Sequence, residues 1–383
     1  LSRPPAPCHT APAQRWDLWC RVVDNYGDAG VCWRLARQLA AEYGLAVQLW
    51  IDRPEALARL QPGIDPARPR QHCAGVDILR WDADSGASPP GAVLIEAFAC
   101  ELPVALRAQL AVTRPLWINL EYLSAEDWID GCHGLPSPQA GGVAKYFYFP
   151  GFTPASGGLI CEATCRSARA AWDETAARGW LAAHGIDARG GERRLSLFAY
   201  EQAALGEWLE QLASGEPWLL LVPEGRILEA LGAWAGQPLA AGSRYARGAL
   251  RLAVLPFLDQ DDYDRLLWSC TLNAVRGEDS FVRAQWARRP LLWQAYRQAQ
   301  DAHFDKLDAW LQRWLAGLDA GVADATRRFQ LAWNRERDVA AAWPEFAAVL
   351  PALEQHAAGW AEQLLHDGDL AAKLVQFTAS RLG

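Results

Sequence analysis

The sequence has no methionine, no C-x-x-C pair, no long apolar run and no excess of basic charge. The missing methionine excludes no fold. The acidic balance excludes more: 45 acidic side chains against 37 basic ones leave a net charge of −8. General nucleic-acid binding draws most of its affinity from a basic surface, so that class is disfavoured. The longest apolar stretches, residues 92–99 and 218–223, fall far short of the ~20 residues a membrane-spanning helix needs. Residues 1–15 are rich in proline and alanine and lack the apolar centre of a signal peptide, so they read as a disordered leader. The nine cysteines form no regular framework. Cys161 and Cys165 are the closest pair, but no nearby histidine or second pair completes a zinc site. Reduced, mostly buried thiols in a cytoplasmic protein are the expectation. No Walker loop, Ser/His/Asp order or H-E-x-x-H pattern occurs either.

What remains is ample material for a core. The 383 residues are 51% apolar and 21% charged, with 20 tryptophans. That length predicts two or three domains and leaves little room for disorder. In the first half, strand-like runs at 16–23, 46–51, 76–80, 92–96 and 116–120 alternate with helical spacing, as in Val31, Leu35 and Leu39 before Gly44. Several runs are apolar nearly throughout, as expected of parallel strands covered on both faces. Residues 134–158 break into Pro/Gly-rich loops around the aromatic run 146–149. Residues 168–184 read as a helix and 186–193 as a polar, Gly-rich linker. The alternation restarts with strands at 195–198, 218–222, 250–254, 272–275 and 291–293. Helices are expected at 202–213, 262–268 and 281–287, and the chain reads as helical from 301 almost to its end. The fold class is therefore α/β, with two successive doubly wound units and a helical tail.

Open parallel sheets bind ligands at the carboxyl ends of their strands, so the residues there are the candidates. Val23-Asp24-Asn25-Tyr26-Gly27-Asp28-Ala29-Gly30 sets two carboxylates four apart between the first strand and helix. It is not a G-x-G-x-x-G fingerprint, and two acids would repel a phosphate placed there. From spacing alone, Asp28 as an N-cap and Asp24 in an Asx-turn are the favoured reading, since Asp is common at both positions. Residues 271–281 end a strand and open a helix, where backbone N–H groups, Arg276 and Ser280 suit a phosphate. Glu278 and Asp279 look misplaced for that task, unless one binds sugar hydroxyls or both are ordinary first-turn acids. In 255–264, Phe257 and Gln260 could stack on and bond a base, while the acidic cluster suits a helix cap. Phe198 and Tyr200 leave another strand. Polar residues 119–128 follow a strand of the first half, with His133 and Pro136 in a loop at the same edge.

Several strings together carry a resemblance: V-V-D-N-Y-G-D-A-G (22–30), W-I-N-L-E-Y-L-S-A-E-D-W (117–128), G-C-H-G-L-P-S-P (131–138), Y-F-Y-F-P-G-F-T-P-x-x-G-G-L (146–159) and R-G-E-D-S-F-V-R-A-Q-W-A (276–287). From about Trp16 to its end the chain resembles the bacterial protein-arginine rhamnosyltransferases that modify translation elongation factor P, the EarP family. The resemblance implies a GT-B glycosyltransferase with two facing Rossmann-like domains. These would be an acceptor-binding unit at 16–187 with a crossing helix at 362–383, and a nucleotide-sugar unit at 190–361. It implies dTDP-β-L-rhamnose as donor, with no metal or other cofactor, and inverting transfer to one arginine of elongation factor P in the cytoplasm. By matching motif positions, the family's two loop aspartates fall on Asp24 and Asp28, and its glutamate on Glu278. Donor contacts fall on Gly27, Phe198, Tyr200, Phe257, Gln260, Arg276, Asp279 and Ser280. Asp28 is the expected late base, Asp24 orients the acceptor or supports Asp28, and Glu278 is a donor-positioning group. Ala29 stands where the family often has isoleucine.

Two other classes fit a pair of α/β units. A nucleotide-cofactor oxidoreductase would bind NAD(P), but the glycine fingerprint is absent. A noncatalytic two-lobed binding protein would turn over no sugar nucleotide.

Overall fold

The computed structural model describes residues 14–23, 26–82 and 85–382. The leader through residue 13, Asp24 and Asn25 lie outside the described residues. The chain builds two sheets in succession. The first contains β1 (Arg15–Cys20), β2 (Ala46–Ile51), β3 (Arg70–Cys73), β4 (Val76–Arg80), β5 (Val93–Ala97), β6 (Leu116–Leu120), β7 (Pro136–Pro138) and β8 (Ala144–Tyr148), in the order β3-β4-β2-β1-β5-β6-β8-β7. The second contains β9 (Arg193–Leu197), β10 (Trp218–Pro223), β11 (Arg244–Arg247), β12 (Leu250–Leu255), β13 (Leu272–Arg276) and β14 (Leu291–Gln294), in the order β11-β12-β10-β9-β13-β14.

The interior of both sheets is parallel, and antiparallel pairing occurs only at β3–β4, β7–β8 and β11–β12 among the described residues. Parallel strands need crossovers, and helices such as Gly27–Tyr43, Leu205–Ser214, Gln260–Trp268 and Asp279–Trp286 supply them. Covered on both faces, β5, β6 and β10 are buried at every position. The strand order reverses beside β1 in one sheet and beside β9 in the other. A crevice opens at each such switch point, outside the carboxyl ends of the strands. The residues after β1, β5 and β6 therefore share one crevice, and those after β9, β12 and β13 share the other.

Four long helices follow: Ala302–Trp314, Ala320–Arg335, Val339–Leu365 and Leu370–Leu382. The second and third of these cover the second sheet through a buried aromatic cluster. There Trp208 meets Trp333 and Trp343 edge to face at 5.2 and 5.4 Å, and Phe329 stacks on Phe346 at 4.4 Å. The last helix returns to the first sheet, where Phe377 packs on Tyr146 and Tyr148 and Leu370 N–H donates to Leu159 O. No helix among the described residues is long and apolar enough to cross a membrane.

Several boundaries differ from the sequence expectation. β1 stops at Cys20 instead of continuing to 23, because Val22 and Val23 turn their N–H groups to the Asp52 and Asp28 carboxylates. The loop expected around 134–158 contains β7 and β8, and the helix expected over 168–184 is two shorter ones, Ala163–Ala170 and Glu174–Ala183.

Candidate active site

The two crevices face each other and enclose two cavities that share Gly27, Gly277 and Glu278. The first encloses about 760 Å³ of space, open to solvent, mostly against the second sheet. Arg276, the last residue of β13, holds its guanidinium 4.5 Å from the ring centre of Phe198 and 4.4 Å from that of Tyr200. Both rings follow β9, the strand next to β13. Phe257, after β12, meets Tyr26 edge to face at 5.1 Å and carries Arg59 over its ring at 4.4 Å. Gln260 donates to Gly30 O at 3.1 Å, and its Oε1 is buried in the cleft without a hydrogen-bond partner. Ser280 Oγ accepts from Arg276 N–H at 3.2 Å and also bonds Arg276 O, which ties the turn to the helix it opens.

Gly277 adopts φ 64°, a conformation favouring glycine, and Trp293 Nε1 donates to its carbonyl at 2.8 Å. That turn presents Glu278 to both cavities. Glu278 occupies the N-cap position with no side-chain cap bond, so it is not there to cap the helix.

The second cavity, about 1050 Å³, is lined by Asp28, Tyr122, Glu278, His303 and Lys306 among others. Asp28 sits in the first turn of helix Gly27–Tyr43, just after its start, and is 3% exposed. It does not act as an N-cap. Its Oδ2 accepts from Val23 N–H at 2.8 Å, and its Oδ1 accepts from the Tyr122 hydroxyl at 3.2 Å. Across the junction, burial raises the Glu278 carboxyl to about 8, and the negative charges of Asp28 and Asp279 add to the effect. The Leu123 N–H and the Lys306 charge oppose it without cancelling it. At neutral pH Glu278 therefore carries its proton for most of the time and can donate a hydrogen bond.

The acids that looked misplaced beside a phosphate site are thus accounted for. Glu278 is largely neutral. Asp279 is raised by burial but paired: Arg34 Nε, from the helix after β1, donates to its Oδ1 at 3.1 Å. Arg34 is 1% exposed and also donates to Glu162 at 3.4 Å and Asp264 at 3.3 Å. Arg283 completes the group with bonds to both Asp264 oxygens, at 2.8 and 2.5 Å, and to Glu162 at 2.5 Å. Burial alone would raise Glu162, yet Arg283 and Arg34 outweigh it and hold the carboxyl down at about 2. The two units also approach closely at Gly30, where a Cβ would lie 3.2 Å from both Asp279 Oδ2 and Gln260 Nε2.

Gly27, Phe198, Tyr200, Phe257, Gln260, Arg276, Glu278, Asp279 and Ser280 thus line one cleft, and Asp28 lines the adjoining cavity through Gly27 and Glu278. Asp24 lies outside the described residues. Asp259 caps helix Gln260–Trp268 by accepting from Asp262 N–H at 2.8 Å, as the acidic run suggested. His133 accepts from Phe149 N–H at 3.1 Å and packs on Tyr148, a structural role. Sequence reasoning missed Arg34, Arg283, Glu162, Asp264, Tyr122, Trp293, His303 and Lys306. The available signal was Arg34 itself, a charge set between Val31 and Leu35 on the buried side of its helix.

Comparison with known proteins gives the family and the fold. Residues 16–379 match the family model described as elongation factor P (EF-P) rhamnosyltransferase EarP. A protein-arginine rhamnosyltransferase of Pseudomonas aeruginosa is 53% identical over 373 residues, covering 96% of this chain and 99% of that protein. A solved structure concerning EarP-mediated arginine glycosylation of translation elongation factor EF-P is 36% identical, with TM-score 0.69, covering 96% of this chain and 99% of its own. A UDP-glucosyltransferase from Polygonum tinctorium shares the fold at 12% identity, with TM-score 0.52, covering 97% and 99%. The two facing α/β units are a GT-B fold, and the chain belongs to the elongation factor P rhamnosyltransferase family, an enzyme of the glycosyltransferase class.

Proposed function

We propose that this enzyme transfers L-rhamnose from dTDP-β-L-rhamnose to an arginine of elongation factor P in the cytoplasm, with inversion at the anomeric carbon. The observation that carries this reading is the junction at Gly27, Gly277 and Glu278, where an aromatic and cationic cleft opens into a cavity bearing a buried carboxylate. The donor fits the first cleft. Phe257 offers a ring and Gln260 an unpartnered acceptor for the base. Arg276 and the N–H groups opening helix Asp279–Trp286 suit the diphosphate. The sugar then falls at the junction, and the acceptor arginine enters by the second cavity. The 16–187 unit, with 362–383, would hold the acceptor, and 190–361 the donor.

The acceptor sets the chemical problem. A guanidinium has a pKa above 12 and a delocalised lone pair. Its full deprotonation by an ordinary carboxylate would cost about 11 kcal/mol at about 1.4 kcal/mol per pKa unit. Asp28 therefore acts late. It holds the guanidinium edge-on, and a guanidino nitrogen attacks the anomeric carbon from the face opposite the diphosphate. The carbon–oxygen bond breaks with its electron pair leaving on dTDP, and the nitrogen's proton passes to Asp28 as the carbon–nitrogen bond forms. Arg276 and the helix amides stabilise the charge gathering on the departing diphosphate, and no metal is assigned a part. By family resemblance Asp24 shares in holding the acceptor.

Two results are expected of donor binding. Arg276→Ala should weaken dTDP-rhamnose affinity by about 10- to 100-fold in calorimetry, since a charge-assisted phosphate contact contributes about 1.5–3 kcal/mol; unchanged affinity would contradict the placement of the diphosphate. Glu278 gives a pH dependence. Its folded pKa is raised, so it is neutral below about 8 and becomes anionic beside the diphosphate above it. Donor affinity should therefore fall as pH rises through about 8, and Glu278→Gln should flatten that dependence. A wild-type affinity that is flat between pH 7 and 9 would reject the donor-side role. The activity itself is tested by incubating the enzyme with elongation factor P and dTDP-rhamnose, dTDP-glucose or UDP-glucose. A single deoxyhexosyl mass increment with dTDP-rhamnose, localised to one arginine by fragmentation, is expected; no increment, or transfer to another residue type, would refute the reading.

A further inference from the structure

We propose that Tyr122 is a positioning residue that fixes the Asp28 carboxylate for reaction, with the Phe98 ring as its backing. The inference rests on Asp28 acting as the base. Asp28, Phe98 and Tyr122 follow β1, β5 and β6, three neighbours in the first sheet, so the fold delivers them to one edge. The Tyr122 hydroxyl donates to Asp28 Oδ1 at 3.2 Å while Val23 N–H holds Oδ2 at 2.8 Å. A donor on each oxygen fixes the plane of the carboxylate. The phenolic oxygen, its hydrogen committed to Asp28, retains acceptor capacity of its own toward the cavity.

Tyr122 is 41% exposed, and a side chain so open would rotate away without support. The support is Phe98, stacked on it at 4.3 Å with an interplanar angle of 14°. Phe98 sits in an unusual piece of backbone. Phe98, Ala99 and Glu101 have φ of 56°, 50° and 55°, all in the left-handed region. Non-glycine residues are held there only where the surroundings over-determine them. Here Phe98 N–H donates to Leu120 O at 2.7 Å, Ala99 N–H to Asn119 Oδ1 at 3.1 Å, and Glu101 N–H to Glu96 Oε1 at 3.2 Å. A turn of this cost places an aromatic ring flat against the tyrosine that holds the base.

The test measures single turnover with dTDP-rhamnose and elongation factor P. Tyr122→Phe keeps the ring stack and removes the hydroxyl; kcat should fall about 10- to 50-fold while the donor KM stays within about twofold. In an Asp28→Asn background the same change should alter the residual rate by less than about twofold, because its effect runs through Asp28. Phe98→Asn, which tolerates positive φ but removes the backing ring, should lower kcat about 3- to 10-fold with donor binding intact. That variant decides the matter if Tyr122→Phe does not fold. Wild-type kcat in both variants, or an equal fall from Tyr122→Phe with and without Asp28, overturns the positioning role alone. Full turnover by Asp28→Asn overturns the base assignment and this inference with it.

Discussion

Asp28→Asn is expected to lower kcat by about 10³-fold while dTDP-rhamnose affinity stays within about twofold. Asparagine preserves the volume of the side chain and can still accept the Val23 N–H bond. What it lacks is a negative charge and a site for the proton. A guanidinium that attacks without losing a proton would leave a doubly burdened nitrogen in the transition state. The effect therefore belongs to kcat and not to donor binding, whose contacts lie in the adjoining cleft. Single-turnover rates by intact mass, beside calorimetric donor affinity, separate the two. A rate within tenfold of wild type would remove Asp28 from the base role.

The second large effect is on stability. Arg283→Met should cost about 3–5 kcal/mol in urea unfolding, because it leaves Glu162 and Asp264 buried with one cation where two stood. Arg178→Ala breaks an exposed pair with Glu174 and should stay within about 1 kcal/mol. The contrast is informative: both remove an arginine from carboxylate partners, buried in the first case and exposed in the second. The same group gives an acid limit. Glu162 is held at about 2, below its ordinary value, so its contribution to stability is full above about 4.5. It is lost as pH falls from there through about 2. In Arg283→Met the carboxyl is held down less, so that loss should be smaller and complete at a higher pH. Since Arg34 joins helix Gly27–Tyr43 to Asp264 and Asp279, the variant should also weaken donor binding by loosening the cleft.

The parallel interior of both sheets was legible because short, nearly unbroken apolar runs such as those of β5 and β10 suit a strand covered on both faces and little else. β3, β7 and β11 were not, since they are short, polar or proline-bearing edge strands that pair in only one direction. The Glu278 and Asp28 positions could be read as strand-exit acids, and the family strings supplied their roles. Their environment could not be read. Tyr122 reaches Asp28 across 94 positions, and Arg34 reaches Asp264 and Asp279 across 230 and 245. Local spacing carries no information on contacts at such separations. The puzzle of two acids beside a phosphate was real at the level of sequence. It dissolves only when Arg34 and the burial of Glu278 are seen. The many tryptophans likewise acquire a reason in the clusters around Trp208 and Trp293.

The most direct measurement is a crystal structure of this enzyme with dTDP and elongation factor P bound together. A guanidino nitrogen about 3 Å from an Asp28 oxygen, facing the junction from the side opposite the diphosphate, is the expected result. An arginine whose nitrogens all lie beyond about 6 Å from Asp28, well outside hydrogen-bond reach, would contradict it.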